Sequence, residues 1–412
     1  MKLELDQDKL MSEIETLATY SDAPAPAVTR VLYTEQDMKA RAYLKDLIAE
    51  VGLSVREDAL GNLFARWGGA NPERPAVATG SHIDAIPHSG RYDGVVGVLG
   101  GLEAIRALKA AGFEPQRPVE LILFTAEEPT RFGVGCLGSR AMSGTLTPEA
   151  VRNLHDEEGN NPDEVRRSVG FEGQLEEVAL KKGHYHAFVE LHIEQGPRLE
   201  KESVPIGVVT NIAAPATLHI TLEGQGGHAG AVLMAERKDA LVAGADIALA
   251  VERAARSSGS PDTVATVGIF DVHPRAVNSI PSRVFMSVDA RDTDLERRDR
   301  VADEIRKAAQ EVSEKRGIGV TLETLNADPP ATCAREVIEA AQAGAKDLSL
   351  ESMQMVSRAY HDTLFMARIC PVGMIFIPSK DGISHRPDEY SSPEDIAAGV
   401  EVLAKTLARL SS

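Results

Sequence analysis

In the first half of the chain, short apolar runs alternate with stretches whose apolar residues recur every three to four positions. "RPAVATGSH" (Arg74–His82) has the pattern of a buried strand ending in a glycine turn. "GVVGVLGGLEAIRALKAAG" (Gly94–Gly112) then takes the helical period and closes on another glycine. "PVELILFTAEE" (Pro118–Glu128) predicts a second strand and "YHAFVELHIEQG" (Tyr185–Gly196) a third. Strands alternating with helices in this way predict an α/β sheet with helices on its faces.

The pattern changes near Ala213. "ATLHITLEG" (Ala216–Gly224) alternates with period two, as a half-exposed antiparallel strand does. A long helix is predicted over about 238–256, followed by two strand-like runs, "TVATVGIFDVH" and "SRVFMSVDARD". A charged helix over about 293–316 and a last strand, "GVTLETL", complete the stretch. This β-α-β-β-α-β order fits one sheet covered by two helices. After "NADPP" (Asn326–Pro330) the style of the first half resumes. The expected fold class is therefore α/β, with a mixed sheet flanked by helices formed by residues 1–212 plus 328–412. A smaller α+β sandwich, residues 213–327, interrupts it.

Composition narrows the function classes. The chain has 412 residues, more than one ordinary core holds, and its 43% hydrophobic and 26% charged content is that of a globular protein. A net charge of −18 argues against nucleic acid or an anionic membrane as a partner, although a locally basic pocket could still take a small anion. Cys136, Cys333 and Cys370 are too few and too irregular for a disulfide framework or a thiolate metal site, and they suggest a reducing compartment. "MKLELDQDKLMSEIETLA" reads as a polar amphipathic helix and not as a signal peptide. No apolar run approaches the roughly 18 residues that a membrane-spanning helix requires. The expectation is a cytoplasmic protein.

In an open α/β sheet, ligands gather beyond the carboxyl ends of the strands. Metal-competent side chains fall there repeatedly. In "GSHIDAIPHSGRYDG" (Gly80–Gly94), His82 and Asp84 close one predicted strand and Asp93 opens the next helix. Glu127 and Glu128 close a second strand, His192 lies near the end of a third, and His385 follows the apolar run in "VGMIFIPSKDGISH". Taken singly, each has an ordinary explanation. A strand-end histidine is commonly a hydrogen-bonded surface residue, adjacent glutamates are commonly a solvated patch, and Asp93 could cap its helix. Their joint occurrence at four strand ends favours a metal centre.

Imidazole and carboxylate donors suit zinc, manganese or cobalt. Two ions about 3.5–4 Å apart can share a bridging carboxylate. Asp93 is the candidate bridge, His82 and Glu128 would complete different metals, and His192 and His385 would be the outer histidines. Asp84, two residues from His82, lies on the same side of an extended chain and can brace the imidazole. Glu127 remains as general base.

The stretches "SHIDAIPHSGRYDG", "FTAEEPTRFG", "ELHIEQGP", "GGHAGAVLM", "NSIPSRVFMSVDARD" and "GISHRPDEYSSPED" resemble, in order, the motifs of the dinuclear metal amidohydrolases. That family comprises N-carbamoyl-L-amino acid hydrolases, β-ureidopropionase and the allantoate and ureidoglycolate amidohydrolases, within an aminoacylase-like metallopeptidase clan. The resemblance runs from about Tyr33 to the C-terminus. It implies metal ligation by His82, Asp93 (bridging), Glu128, His192 and His385, with Glu127 as catalytic base and Asp84 in support. It also implies two divalent ions per subunit, manganese favoured and zinc the alternative, in a homodimer whose inserted domain serves for dimerisation or as a lid.

Within the family, "SHIDAIPHSGRYDGVVGVLGGLEAI", "APATLHITLEGQGGHAGAVLM" and "SRAYHDTLFMARICPVGMIFIPSKDGISHRPDEYSSPED" resemble the ureidoglycolate branch. "SRAY" precedes His361–Asp362, where carbamoylases and allantoate enzymes commonly carry a small glycine-containing segment. The bulk of Arg358 and Tyr360 accords with a small substrate, and His361 is expected to shape the pocket wall. The implied reaction is hydrolysis of the ureido C–N bond of (S)-ureidoglycolate, an intermediate of purine-ring nitrogen recovery.

The resemblance also implies substrate contacts. His228, in "GQGGHAGA", would donate to the substrate carbonyl oxygen. Arg291 would hold the substrate carboxylate, with Asn278 orienting the same end. From the residues alone, His228 is more readily a turn histidine, and Arg291 as readily an ion-pair partner of Asp289 or Asp292. Gln195, beside His192, is a further polar contact. Two alternatives stand: an N-carbamoyl-L-amino acid or allantoate amidohydrolase with the same machinery, and a non-catalytic dimeric binding protein of the same fold. The presence of every expected ligand disfavours the latter.

Overall fold

The computed structural model describes residues 3–412. Two compact units make up the chain. The larger contains the chain up to Thr210, Thr332–Ser357 and His361–Ser412. The smaller contains Asn211–Ala331 and Arg358–Tyr360. The amphipathic helix predicted at the start forms over Gln7–Ala18, where the Asp6 side chain accepts the Lys9 N–H as a cap. Met1 and Lys2 of that prediction lie outside the described residues.

In the larger unit a mixed sheet runs, strand by strand, Ile206–Ile212, Val372–Ile377, Tyr185–Ile193, Ala76–Ser81, Val119–Leu123, Leu63–Trp67 and Ser54–Glu57. Tyr185–Ile193 pairs in parallel with both Val372–Ile377 and Ala76–Ser81, and Ala76–Ser81 pairs in parallel with Val119–Leu123. The outer pairings are antiparallel. Four adjacent strands thus end along one edge. Their near-continuous apolar sequence follows from burial on both faces.

One face carries a core that includes Val77, Leu99, Leu121, Leu191 and Leu403. The other carries Phe64, Phe124, Phe188 and Met366. The helix Val95–Ala110 packs tightly on the first face. At Gly97 an added Cβ would lie 2.4 Å from the Leu191 carbonyl oxygen.

Two local features depart from the sequence pattern. The strand expected over Pro118–Glu128 stops at Leu123. The Phe124 N–H makes the last rung to the neighbouring strand, donating to the Ser81 carbonyl at 2.9 Å, and Ala126 then turns into the left-handed region at φ 51°. The chain therefore leaves the sheet before the two glutamates. Between His82 and Asp93, Ala85–Ser89 forms a strand paired with Val28–Arg30, a pairing that periodicity does not signal.

The smaller unit shows the β-α-β-β-α-β order expected of it. Its antiparallel sheet runs Val264–His273, Arg283–Asp292, Ala214–Glu223 and Gly319–Ala327. The helices Ala240–Arg256 and Leu295–Arg316 cover one face through Leu218, Ile247, Val288 and Ile305. The alternating burial of Arg283–Asp292 reflects that single covered face. No helix among the described residues is long and apolar enough to cross a membrane.

Candidate metal centre

The ends of the four parallel strands bring the predicted ligands together. His82 follows Ser81 directly, His192 is the penultimate residue of its strand, Glu127 and Glu128 come from the turn after Leu123, and His385 from the loop after Ile377. Ligand atoms of His82, Asp93 and His192 lie within 4.8 Å of one another, as do those of Asp93, Glu128 and His385. Asp93 belongs to both groups. Its Oδ1 is 3.5 Å from His82 Nε2 and 3.1 Å from His192 Nε2, while its Oδ2 is 3.3 Å from His385 Nε2. His385 Nε2 is also 3.1 Å from Glu128 Oε1.

Asp93 is not a helix cap. The N-cap is Gly94, which makes no side-chain cap bond, and Asp93 is buried. Gly94 stands at φ 67°, and an added Cβ would lie 2.4 Å from His82 Nε2. Only glycine suits both the backbone angle and the ring that packs there.

The imidazoles are oriented from behind. Nδ1 of His82 lies 3.1 Å from the Asp84 carbonyl oxygen, and Nδ1 of His192 lies 2.9 Å from that of Ile193. Each donates there and turns Nε2 into the centre. Asp84 therefore braces His82 through its main chain, with its carboxylate Oδ1 somewhat farther away at 3.4 Å. That carboxylate accepts the backbone N–H of Glu127 at 3.2 Å and of Glu128 at 3.0 Å. Glu127, whose side chain is 12% exposed, places Oε2 3.9 Å from His82 Nε2. Its Oε1 is 3.6 Å from the Cys136 thiol. Two buried or nearly buried glutamates are not a solvated patch.

Electrostatics follows the geometry. Burial works against the Asp93 charge, yet hydrogen bonds from His192, His385 and His82 hold its carboxyl well below the usual range. Burial likewise opposes a charged His82, but Asp84 and Asp93 raise it well above an ordinary imidazole; Asp93 raises His192 in the same way. His385 is pushed up to about 11 by its bonds to Asp93 and Glu128. Glu127 is pushed well up by burial, with Glu128 and Asp362 adding to the rise and His82 opposing it. A buried carboxyl with raised proton affinity suits a group that takes up and returns a proton.

Gln195 and His361 also reach this centre. Gln195 Nε2 donates to Asp93 Oδ2 at 2.6 Å. The His361 ring packs on His192 with centroids 4.5 Å apart, and its Nε2 is 3.1 Å from Ser357 Oγ.

Three further acidic residues lie around the centre, of which the sequence pattern singles out neither Glu190 nor Glu389. Glu190 is fully buried two residues before His192 on the same strand and accepts from Ser81 Oγ at 2.7 Å and from Thr363 Oγ1 at 2.5 Å. Asp362 accepts from Ser139 Oγ at 2.5 Å and is pushed up to about 8, chiefly by burial and next by Glu190. Glu389 is pushed up to about 7 by burial and by Asp93. A single acid inside the apolar run "AFVELHI" is the one signal that could have revealed Glu190.

His228, Asn278 and Arg291 belong to the smaller unit. His228 lies in the short strand Gly227–His228, and its Nδ1 accepts the Gly230 N–H at 3.1 Å. The Asn278 carbonyl accepts the Ala229 N–H at 2.9 Å. Of the readings left open for Arg291, the ion pair with Asp289 is formed: Nε to Oδ1 at 2.7 Å and Nη2 to Oδ2 at 3.1 Å. Its Nη1 donates to the Arg358 carbonyl at 3.2 Å, and the guanidinium lies 5.8 Å from the Tyr360 ring centre. Asp292 pairs with Arg297 instead.

The donor set tests which metal fits. Imidazole nitrogens and carboxylate oxygens in two groups with one shared carboxylate match divalent ions of the manganese or zinc kind, and no thiolate joins them.

The chain is similar to known hydrolases. Residues 78–409 match the family model of peptidase family M20/M25/M40. The chain is 55% identical to a ureidoglycolate hydrolase of Oryza sativa subsp. japonica, over 99% of this chain and 85% of that protein. It is 39% identical to an N-carbamoyl-L-amino acid amidohydrolase of Geobacillus stearothermophilus, over 98% of each. The crystal structure of AtUAH in complex with (S)-hydroxyglycine superposes with a TM-score of 0.91 at 54% identity, covering 99% of this chain and 98% of that one.

Proposed function

The chain belongs to peptidase family M20/M25/M40 as a hydrolase of the amidohydrolase kind, and we propose that it hydrolyses the ureido C–N bond of (S)-ureidoglycolate. The observation that carries this reading is the pair of ligand groups sharing Asp93 beside the buried Glu127. The 55% identity to a ureidoglycolate hydrolase supports the choice of substrate. His82, Asp93 and His192 would hold one divalent ion, and Asp93, Glu128 and His385 a second; manganese is the first choice and zinc the second. Bound there, such ions supply Lewis acidity to water and to the ureido carbonyl.

Glu127 takes a proton from the attacking water and returns it to the leaving nitrogen. Bond cleavage releases ammonia and a carbamate, which loses carbon dioxide. The hydroxyglycine that remains breaks down to glyoxylate and a second ammonia. Asp84 fixes the turn that presents Glu127, Gln195 steadies Asp93, and His361 shapes the wall. For the smaller unit we carry over the roles that the family resemblance implies: His228 donates to the substrate carbonyl oxygen, and Arg291 with Asn278 holds the substrate carboxylate. In the same reading the protein is a homodimer, residues 213–327 form the dimerisation or lid domain, and residues 1–212 plus 328–412 form the catalytic domain. Three buried free thiols, Cys136, Cys333 and Cys370, support a cytoplasmic setting.

The test is release of ammonia and glyoxylate by chelator-stripped, manganese-reloaded protein. The panel is (S)-ureidoglycolate, allantoate and several N-carbamoyl-L-amino acids at matched concentration. A dominant rate on ureidoglycolate is expected. A dominant rate on carbamoyl amino acids would overturn the substrate and leave the centre standing. That second reading has the 39% identity to a carbamoyl amino acid amidohydrolase in its favour.

A further inference from the structure

His385 is the exposed ligand. Its side chain is 45% accessible, against 1% for His82 and 0% for His192, and its backbone is left-handed at φ 59°. The other two histidines stand at or beside the ends of central strands, whereas His385 rides a loop. Ligands on loops need an anchor before they can hold a metal geometry.

Glu389, four residues farther along that loop, is 4% exposed. Its Oε1 accepts the backbone N–H of Tyr92 at 2.8 Å and of Asp93 at 3.1 Å. Its Oε2 is 2.8 Å from Ser384 Oγ, and the same hydroxyl lies 2.7 Å from Asp93 Oδ2. The Glu389 N–H donates to the Arg386 carbonyl at 3.1 Å, so the loop also closes on itself. The facing segment is shaped to admit this carboxylate: a Cβ on Gly90 would lie 2.4 Å from the Glu389 side chain.

We propose that Glu389, acting with Ser384, is a positioning residue of the metal centre. It fastens the loop bearing His385 to the segment bearing Asp93 and so sets the spacing of two ligands to one ion. The inference rests on the reading of Asp93 and His385 as metal ligands. It assigns Glu389 no contact with substrate. What it predicts is weaker occupancy of the group Asp93, Glu128 and His385, because losing the clamp frees the loop and leaves two backbone N–H groups without their acceptor.

The test is binding of manganese alone to chelator-stripped full-length protein, followed by the electron paramagnetic resonance of the free ion. His385→Ala marks which binding step belongs to this group. Glu389→Ala should weaken that same step about 10–100-fold, the usual effect of removing a ligand's outer partner, and the other step, which shares Asp93 but not His385, by less. Glu389→Gln should rescue it. The amide oxygen can accept both backbone N–H groups, and the amide nitrogen can donate to Ser384 Oγ, which leaves the hydroxyl proton for Asp93.

Unchanged manganese affinity in Glu389→Ala overturns the role. Glu389→Gln as weak as Glu389→Ala also overturns it, because the hydrogen bonds would then not be the cause. If Glu389→Ala does not fold, Ser384→Ala decides: it removes one oxygen, and unchanged affinity there overturns the link to Asp93. A wild-type protein that takes up no manganese is a different result, since it sinks the metal-centre reading itself.

Discussion

Asp84 grips the peptide of Glu128: its Oδ2 accepts the Glu128 N–H at 3.0 Å while its Oδ1 takes the neighbouring N–H of Glu127 at 3.2 Å. One carboxylate therefore sets the turn that displays both glutamates. Ala126 enters that turn at φ 51°, a conformation that costs a residue with a Cβ and persists only where its surroundings enforce it. Asparagine at position 84 would keep one acceptor and aim an NH2 group at a backbone N–H. Asp84→Asn is expected to lower kcat about 10–100-fold, with KM changed much less. Steady-state kinetics on the folded variant checks this, and an unchanged kcat would remove Asp84 from the machinery.

Glu127 separates ligand from base. Its Oε2 is 3.9 Å from His82 Nε2, and it belongs to none of the three-residue ligand groups. Glu127→Gln keeps the shape and loses the proton acceptor, so kcat should fall about 10²–10⁴-fold, the usual worth of a general base. Metal content by elemental analysis should match wild type. If the metal leaves with the charge, Glu127 is a ligand and the assignment must be redrawn.

Much of this centre was legible because a parallel sheet gathers its strand ends. Four apolar runs, each followed by His, Asp or Glu, were enough to propose that His82, Asp93, Glu128, His192 and His385 meet. Strand length was harder to read. "PVELILFTAEE" reads as a strand to Glu128, but the ladder ends at the Phe124 N–H, and Ala126 then takes a left-handed turn that no periodicity records. The supporting acids were less visible still. Glu190 meets Ser81 and Thr363, and Glu389 meets Tyr92 and Asp93, across separations of 109 to 297 residues. Such pairings are created by the fold and leave no local pattern. Arg291 shows the converse. The guanidinium that the resemblance assigns to a substrate carboxylate is paired with Asp289, the bland alternative that the sequence had already offered.

Gly94→Ala tests the packing of the first ligand. The residue sits at φ 67°, where a Cβ is strained, and that Cβ would lie 2.4 Å from His82 Nε2. The backbone strain alone should cost about 1–3 kcal/mol. Urea unfolding of the metal-free protein reads that cost, while manganese titration reads displacement of the imidazole. Unaltered metal affinity would mean that His82 moves freely, against its burial at 1% exposure.

Metal removal should reverse the pH dependence of stability. In the metal-free protein His385 is raised from its ordinary 6.5 to about 11 by Asp93 and Glu128. Asp362 is raised from 3.8 to about 8 chiefly by burial, and Glu389 from 4.5 to about 7 by burial and Asp93. Each group binds its proton more tightly folded than unfolded. Its contribution favours the fold most below the unfolded value and declines as pH rises through the folded value. Asp93 has the opposite slope, but its depressed value confines that slope to pH below its ordinary 3.8. From weakly acid to alkaline pH these three groups act in the same direction as the likewise raised His82, His192 and Glu127, so the Tm of chelated protein should fall steadily between about pH 6 and pH 9. Divalent ions bind the deprotonated imidazoles and carboxylates, so manganese uptake must release protons and tighten as pH rises. Saturating manganese should therefore flatten or invert the fall. Scanning calorimetry of chelated and loaded protein across that range decides it. A chelated protein whose Tm climbs toward pH 9 would show that the histidines around Asp93 are not held as proton carriers when no metal is bound.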